Sequence, residues 1–542
     1  MKPFTLIRPY IKYYRCALCL YTALTLLAAS VAILAPFILG DFLDTLIEGA
    51  DISAVIMFCV TFGGLSIGKI LLNYIIAMMH VRLQTKMSYN LSAGTVKHVQ
   101  NISLSHLAGQ ESAYLSQRIN NDTYSLVSFF MNLLQNVPSK VVTFIVPFFI
   151  LLGVNASVAV LLMAFLLIYT LLYLLFKKPL YKASAAFKEA QSKFFSKLFD
   201  QLKYVKLIKL NAIQPQMNQK LDSSFYHLQG ATLHNQKINY LYSGLDGFVT
   251  TLAQIALFVV GGLQILAGNF TIGMFTIFSS YFNMMIGAIR YFFSVGAAYQ
   301  ATLVASDRLL SSLSLPREAN GSTRLRDVDS IQLEDVSFSY RTGKEVVKNY
   351  SRIFNKGKVY GIVGGNGIGK TTLLDLVMGM YLNEFRGNIS YNCIDIREID
   401  MENARKTLIG FAEQEPVLLN DTIAYNLTFE AGDEGLDLHS PEMARHLYTL
   451  GMEDFIDHNT FELEINDKGE NTSGGEKQKI SILKVLAKNP CVMIFDEPTS
   501  ALDAETTERF IDYLLHIKKD KIIILITHDT SIQEKCDELV VL

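Results

Sequence analysis

Residues 364–372, GGNGIGKTT, set a lysine and two hydroxyls behind a run of glycines. The spacing of Gly364, four residues, then Gly369-Lys370-Thr371 fits G-x-x-x-x-G-K-[ST]. The apolar run VYGIV precedes it and LLDLVMG follows, so the spacing predicts strand, glycine turn, helix. In such a turn the backbone N–H groups of Gly364, Gly365, Asn366, Gly367, Ile368 and Gly369 can close around phosphate oxygens, and the helix N-terminus adds its positive dipole end. Lys370 is expected to reach the β- and γ-phosphates and Thr371 to hold Mg²⁺, with Thr372 next to it among the ATP-binding residues. By itself the motif specifies a site for a nucleoside triphosphate.

A second motif gives that site its chemistry. Residues 491–498, CVMIFDEP, read as a buried strand ending in two carboxylates. Asp496 stands where a Mg²⁺-anchoring carboxylate is needed, and Glu497 suits a base that polarises the attacking water. Between the two motifs lies NTSGGEKQK, residues 471–479.

With these three pieces in order, the chain resembles an ABC transporter of the exporter type, in which a membrane domain and a nucleotide-binding domain are fused. The family signature is L-S-G-G-Q, and this chain has Thr472-Ser473-Gly474-Gly475-Glu476, so its first and last letters differ. The resemblance implies that Ser473 and the two glycines hold the γ-phosphate of ATP bound to the opposite subunit. It implies that Tyr340 stacks on adenine, that Gln414 senses Mg²⁺ and the membrane domain, and that the turn Ser500-Ala501-Leu502-Asp503 crosses the dimer interface. His528 matches the switch histidine near the γ-phosphate, and Asp467 more loosely matches an acidic residue that touches the membrane domain. Members commonly continue beyond the point matching Leu542 with a Gly-containing strand and further helix, so different C-terminal packing is expected.

Half of the 542 residues are hydrophobic and 18% are charged, more apolar surface than a soluble chain of this length can bury. A net charge of −2 gives no basic surface for nucleic acid. The Cys16-x-x-Cys19 pair lies in an apolar run without a partner pair, so neither a metal site nor a disulfide framework is expected of the six cysteines. Without Trp, Tyr and Phe must serve as interfacial aromatics.

Six apolar segments, near 16–39, 53–79, 130–153, 156–176, 245–267 and 271–295, approach the roughly 20 residues that cross a bilayer. The first is longer than a signal h-region, and too few residues precede it for a leader-cleaving peptidase domain. Lys2, Arg8, Lys12 and Arg15 precede segment one, Asp41, Asp44, Glu48 and Asp51 follow it, and the segment 4–5 connection is Lys-rich. By the positive-inside rule the N-terminus, both long loops and the ATPase domain face the cytoplasm. Residues 80–125 and 177–240 read as helices projecting beyond the membrane; 106–122 and 198–212 resemble the two coupling loops of ABC exporters.

The expected architecture is a multidomain cell-membrane protein. An all-α six-helix transmembrane domain (1–310) with long cytoplasmic helical extensions leads through a linker (311–330) to an α/β P-loop ATPase domain (331–542). A helical insert is expected near 420–490. ATP and Mg²⁺ are the expected cofactors, and a second half-transporter subunit, by preference a second copy of this chain, the expected partner. A charge at the centre of a membrane helix costs about 2.5–3.5 kcal/mol on insertion scales, so it should face a cavity or a partner. Lys140 is expected to lie deepest; Lys69 and Arg290 are expected to snorkel towards the inner interface. Lys140, Asn132, Asn283 and Arg290 are the candidates for a mixed cavity suited to peptides or amphiphiles. Lipid or drug export is the alternative. A soluble ATPase acting on ribosomes or DNA is excluded by the spans. An ATP-gated regulator without net pumping is the alternative of another class, against which Glu497 speaks.

Overall fold

The computed structural model describes residues 2–49, 51–107, 112–154, 156–340, 343, 345–365, 367–429, 437, 440–456, 460–466, 472–500 and 502–542. Asn366, Asp467 and Ala501 lie outside the described residues, as do 108–111 of the first proposed coupling loop. Two compact units emerge. One comprises Met1–Lys97 and Ser112–Leu313; the other comprises His98–Glu111 and Ser314–Leu542.

The first part of the chain is helical throughout: α1 (Lys2–Ile47), α2 (Ile52–Gln100), α3 (Leu104–Leu107), α4 (Ser112–Val154), α5 (Ala156–Lys203), α6 (Val205–Leu210), α7 (Gln214–Leu266) and α8 (Ile272–Leu313). Each of the six apolar runs lies in its own long helix, and among the described residues six helices are long and apolar enough to cross a membrane. The helix of 42 residues, α8, is the shortest of the six. At about 1.5 Å per residue it runs roughly 63 Å, twice a hydrocarbon core of about 30 Å. Pro36, Pro138 and Pro147 sit inside helices that continue past them. Membrane helices tolerate this because neighbouring helices re-satisfy the freed backbone groups. α1, α4 and α8 pack on one another, whereas α5 packs chiefly on α7. The connection at 198–212 breaks at Tyr204 to form α6 and turns at Ala212, whose φ is +51°.

α1 and α8 are clasped where α8 begins. Asp44 Oδ2 accepts from the Thr271 hydroxyl at 2.6 Å, and its Oδ1 accepts from Gly273 N at 2.7 Å. A Cβ on Gly273 would lie 2.0 Å from Gly40 O, which the two backbones cannot absorb without separating. Gly273→Ala is therefore expected to destabilise the protein by about 1–3 kcal/mol. Thermal unfolding in detergent checks this against Gly64→Ala, where a Cβ meets nothing within 4 Å and the midpoint should not fall.

The second unit carries two sheets. β1 (Ser330–Ser339), β2 (Glu345–Asn355), β4 (Phe385–Tyr391) and β5 (Ile394–Asp395) form an antiparallel sheet in the order β2-β1-β4-β5. β3 (Lys358–Val363), β6 (Ile409–Ala412), β7 (Val492–Asp496), β8 (Ile522–Ile526) and β9 (Glu538–Val541) form a parallel sheet in the order β6-β7-β8-β3-β9. Both β7 and β8 are buried at every residue, which is why VMIFD and IIILI are nearly unbroken apolar runs. Their side chains alternate: Ile522, Ile524 and Ile526 enter one core, Ile523 and Leu525 the other.

Around the sheets lie α9 (Lys370–Val377), α10 (Met401–Thr407), α11 (Ile423–Thr428), α12 (Pro441–Thr449), α13 (Gly474–Lys488), α14 (Ala504–Ile517) and α15 (Thr530–Lys535). α11 to α13 occupy the expected helical insert. The last strand, β9, lies parallel beside β3, and Leu542 N donates to Val363 O.

The piece 98–111 belongs to this unit through residues just upstream of the 106–122 stretch singled out from sequence. Asn101 O accepts from Glu318 N at 2.7 Å, and the Glu384 carboxylate accepts from the hydroxyls of Ser103 and Ser105. These contacts are made by serines just upstream of that stretch, of which residues 108–111 lie outside the described residues.

Candidate functional site

Parallel strands deliver their C-terminal ends to one edge of the sheet, where ligands of open α/β sheets bind. The register aligns Asp496 at the end of β7 with Ile526 of β8, and Ile526 with Ile362 of β3. Glu497, His528 and the 364–369 turn follow directly from those three rows.

The turn between β3 and α9 needs its glycines. Gly367 has φ +75° and Gly369 φ +113°, and a Cβ on Gly369 would lie 2.8 Å from Val346 Cγ1. Lys370, the first residue of α9, is buried, and its ammonium donates to Gly364 O at 2.8 Å and Gly365 O at 3.4 Å. It also lies 2.9 Å from His528 Nε2. Because an ammonium only donates, this contact puts the imidazole proton on Nδ1. Glu497 Oε1 lies 3.4 Å from the same Nε2. Nε2 can therefore accept from Lys370 or, when protonated, donate to Glu497, but not both.

Thr371 Oγ1 donates to Asp496 Oδ2 at 2.9 Å. These are hard oxygen donors of the kind that suit Mg²⁺. Burial pushes the Asp496 carboxyl up, as does the neighbouring Glu497 charge; the Thr371 hydrogen bond and Lys370 act the other way. Asp375, one turn beyond Thr371 on α9, is pushed up to about 6, first by burial and then by Asp496 and Glu413. A folded-state value above the ordinary one makes its contribution to stability complete below about pH 4 and lost as pH rises through about 6.

Glu497 has φ +48°, a left-handed conformation uncommon for a residue with a side chain. Its N–H donates to Ile526 O at 3.1 Å and its carbonyl accepts from Gln478 Nε2 at 2.8 Å, so the backbone is held from both sides. Its Oε2 accepts from Gln414 Nε2 at 2.8 Å. Tyr340 follows β1; its hydroxyl lies 2.8 Å from Thr372 Oγ1, and its half-exposed ring stands edge-on to Phe338.

The signature forms the start of α13. Ser473 Oγ accepts from Glu476 N, and Glu476 Oε2 accepts from Ser473 N at 2.7 Å, a reciprocal capping box. This gives the departure at Glu476 a physical account: a carboxylate there closes the helix N-terminus and complements its dipole. The backbone hydrogen bond from Ser473 holds that carboxyl below its usual range. Gly474 and Gly475 are the first two helical residues, and Thr472 precedes the cap. Ser500 Oγ bonds Gln478, Leu502 is half-buried, and Asp503 caps α14 by accepting from Thr506 N at 2.8 Å.

Gln478, Asp375 and Val346 were missed from sequence. Gln478, five residues beyond Ser473, bridges the signature helix to both Glu497 and Ser500. Asp375 is four residues after Thr371, a helical spacing that would have flagged it.

In the helical unit, Lys140 and Asn283 line a cavity of ≈ 490 Å³, together with Lys69, Asn73, Gln135 and Asn136. Asn132 and Arg290 do not line it. The Asn132 amide turns back to Ser128 O at 3.0 Å. Arg290 pairs with Asp246 at 2.7 Å and donates to the Tyr169 hydroxyl at 2.9 Å. Arg290 therefore meets its charge with a partner rather than by snorkelling, and Lys69 faces a cavity.

Residues 18–289 match the family profile described as ABC transporter transmembrane region, and residues 347–500 that described as ABC transporter. The lactococcin-G-processing and transport ATP-binding protein of Lactococcus lactis subsp. lactis is 26% identical over 493 residues, 88% of this chain and 67% of that protein. The ATP-dependent lipid A-core flippase of Haemophilus ducreyi is 30% identical over 304 residues, 55% of this chain and 52% of that protein. The structure of a bacterial Atm1-family ABC exporter with ATP bound superposes with a TM-score of 0.82 at 20% identity, covering 98% of this chain and 93% of that one; the fold is shared.

Proposed function

Since the chain belongs to the ABC transporter family, as an exporter-type half-transporter that couples ATP hydrolysis to export through a multi-pass membrane domain, we propose that its cargo is a peptide or an amphiphilic compound. The observation that carries the ATPase half of this reading is the convergence of Lys370, Thr371, Asp496, Glu497 and His528 at the ends of three parallel strands. Peptide cargo is favoured by the hydrogen-bonding cavity and by the relative named for processing and transport of lactococcin G. The flippase relative favours lipid as the second reading.

In the proposed mechanism Lys370 leaves the loop carbonyls for the β- and γ-phosphates, and Tyr340 packs on the adenine. That move releases His528 Nε2 to face the γ-phosphate and Glu497. Thr371 and Asp496 would hold Mg²⁺, with Gln414 near it; the ion supplies charge neutralisation at the β- and γ-oxygens. Glu497 accepts the proton of the attacking water. Ser473, Gly474 and Gly475 contact ATP held by a partner subunit, with the turn at Ser500, Leu502 and Asp503 beside that interface. Closing two such sites draws the ATPase domains together on the cytoplasmic side, and the cavity turns outward. Moving that equilibrium from 1:99 to 99:1 takes about 5.5 kcal/mol of differential binding.

The partner in this reading is a second copy, because every hydrolytic residue of the site is in place and two copies complete two sites. The chain purified alone in nanodiscs should have the mass of a dimer and hydrolyse ATP. A monomer that stays inactive until a different ABC chain is co-expressed would overturn self-pairing.

A further inference from the structure

From the cavity of the helical unit we infer that the cargo carries negative charge: the site selects short peptides bearing free carboxylates. This rests on the export reading above and narrows its substrate class. Lys69 and Asn73 are spaced i, i+4 on α2; Gln135, Asn136 and Lys140 fall on one face of α4; Asn283 comes from α8. All line the same ≈ 490 Å³ space, a volume typical of small-ligand sites.

Both lysines lie inside the long apolar helices. Lys69 is 17 residues from the Ile52 end of α2, and Lys140 is 14 residues from the Val154 end of α4. At 1.5 Å per residue these are about 26 Å and 21 Å from helix ends that lie on the same side of the bundle. Counted from that side of a hydrocarbon core about 30 Å thick, Lys140 lies inside the core and Lys69 close to its far boundary.

Among the described residues no Asp or Glu lines the cavity. The nearby intramembrane carboxylate, Asp246, is engaged with Arg290 at 2.7 Å, and Asp44 is engaged with Thr271 and Gly273 at the start of α8. An intramembrane lysine normally meets a partner or a polar cavity, and here two share a cavity whose other polar groups are neutral amides and hydroxyls. The complement to two cations is an anion. Asn136 and Asn283 already donate to Asn132 O and Ser279 O one turn back on their own helices, and the complement to the amides of Asn73 and Gln135, each both donor and acceptor, is a peptide backbone. The apolar walls of this cavity are alanines with Ile76 and Met284, little for an acyl chain; the apolar cavity of ≈ 420 Å³ that shares Lys69, lined by Leu27, Val31, Leu65, Leu72 and Ile75, is where an acyl chain would compete, and the phosphatidylglycerol arm below tests for it.

The test is binding of three labelled short peptides, identical except for two Glu, two Gln or two Lys, to the full-length protein in phosphatidylcholine nanodiscs, read by fluorescence anisotropy. The Glu peptide should bind at least about tenfold more tightly than the Gln peptide, and the Lys peptide most weakly, from charge complementarity in a low-dielectric site. Lys140→Arg should keep that order, Lys69→Gln should keep it with a smaller spread because one cation remains, and Lys140→Glu, which offsets Lys69, should flatten it, so the idea does not hang on one variant folding. Equal affinity for all three peptides overturns the inference and leaves peptide export standing. Binding of none overturns both. Displacement of the Glu peptide by phosphatidylglycerol in the disc assigns the cations to lipid headgroups and overturns the inference as well.

Discussion

Glu497→Gln binds ATP with near-normal affinity, hydrolyses it about 10²–10⁴-fold more slowly, and accumulates as a closed, ATP-loaded dimer. The substitution removes the proton acceptor and leaves the shape. Gln414 still has an oxygen to donate to, the backbone bonds to Ile526 and Gln478 are untouched, and the left-handed φ of +48° is no harder for Gln than for Glu. Single-turnover hydrolysis with radiolabelled ATP, followed by measurement of retained nucleotide, checks it. Turnover within about twofold of the native protein would remove Glu497 from the role of base.

Lys370→Ala acts one step earlier, on binding. The ammonium bridges two loop carbonyls and the His528 ring, so it is already poised at the mouth of the phosphate turn. A hydrogen bond to a charged group is worth about 1.5–3 kcal/mol, so the ATP dissociation constant should rise about 10- to 150-fold. Nucleotide titration by tryptophan-free methods, such as calorimetry, suits a chain that has no Trp. Unchanged affinity would contradict the assignment of the turn to phosphate.

The two variants together separate binding from chemistry, and they draw on the part of the molecule most legible in sequence. The phosphate turn and the Asp496-Glu497 pair could be read directly, because each is a local strand-turn motif whose spacing sets its geometry. The same holds for the six spans, whose hydropathy is a property of each segment alone. Glu476 is legible as a departure from the family signature, and Ser473 and Glu476, three residues apart, carry the signal of the capping box that they form.

What could not be read depends on contacts between distant residues. Gln478 reaches Glu497 across a strand end, and Val346 crowds Gly369 from a different sheet. In the membrane unit the helices are apolar on nearly every face, so hydropathy alone does not say which way Lys69 or Arg290 points. Asp246, 44 positions from Arg290, supplies the partner that keeps the guanidinium out of the cavity, while Lys69 lines it. The contacts of the segment before the first coupling stretch were hidden for a similar reason: Ser103 and Ser105 look unremarkable until Glu384 is found beside them.

The central claim is that ATP turnover at this site drives net movement of cargo. The measurement that tests it most directly is time-dependent accumulation of a labelled peptide inside sealed proteoliposomes, with ATP supplied outside to outward-facing ATPase domains. The native chain should concentrate peptide in the lumen above the outside level, and the Glu497→Gln protein in the same preparation should not. Brisk ATP hydrolysis with the labelled peptide only equilibrating, equally with and without ATP, would contradict export and favour an ATP-gated regulator instead.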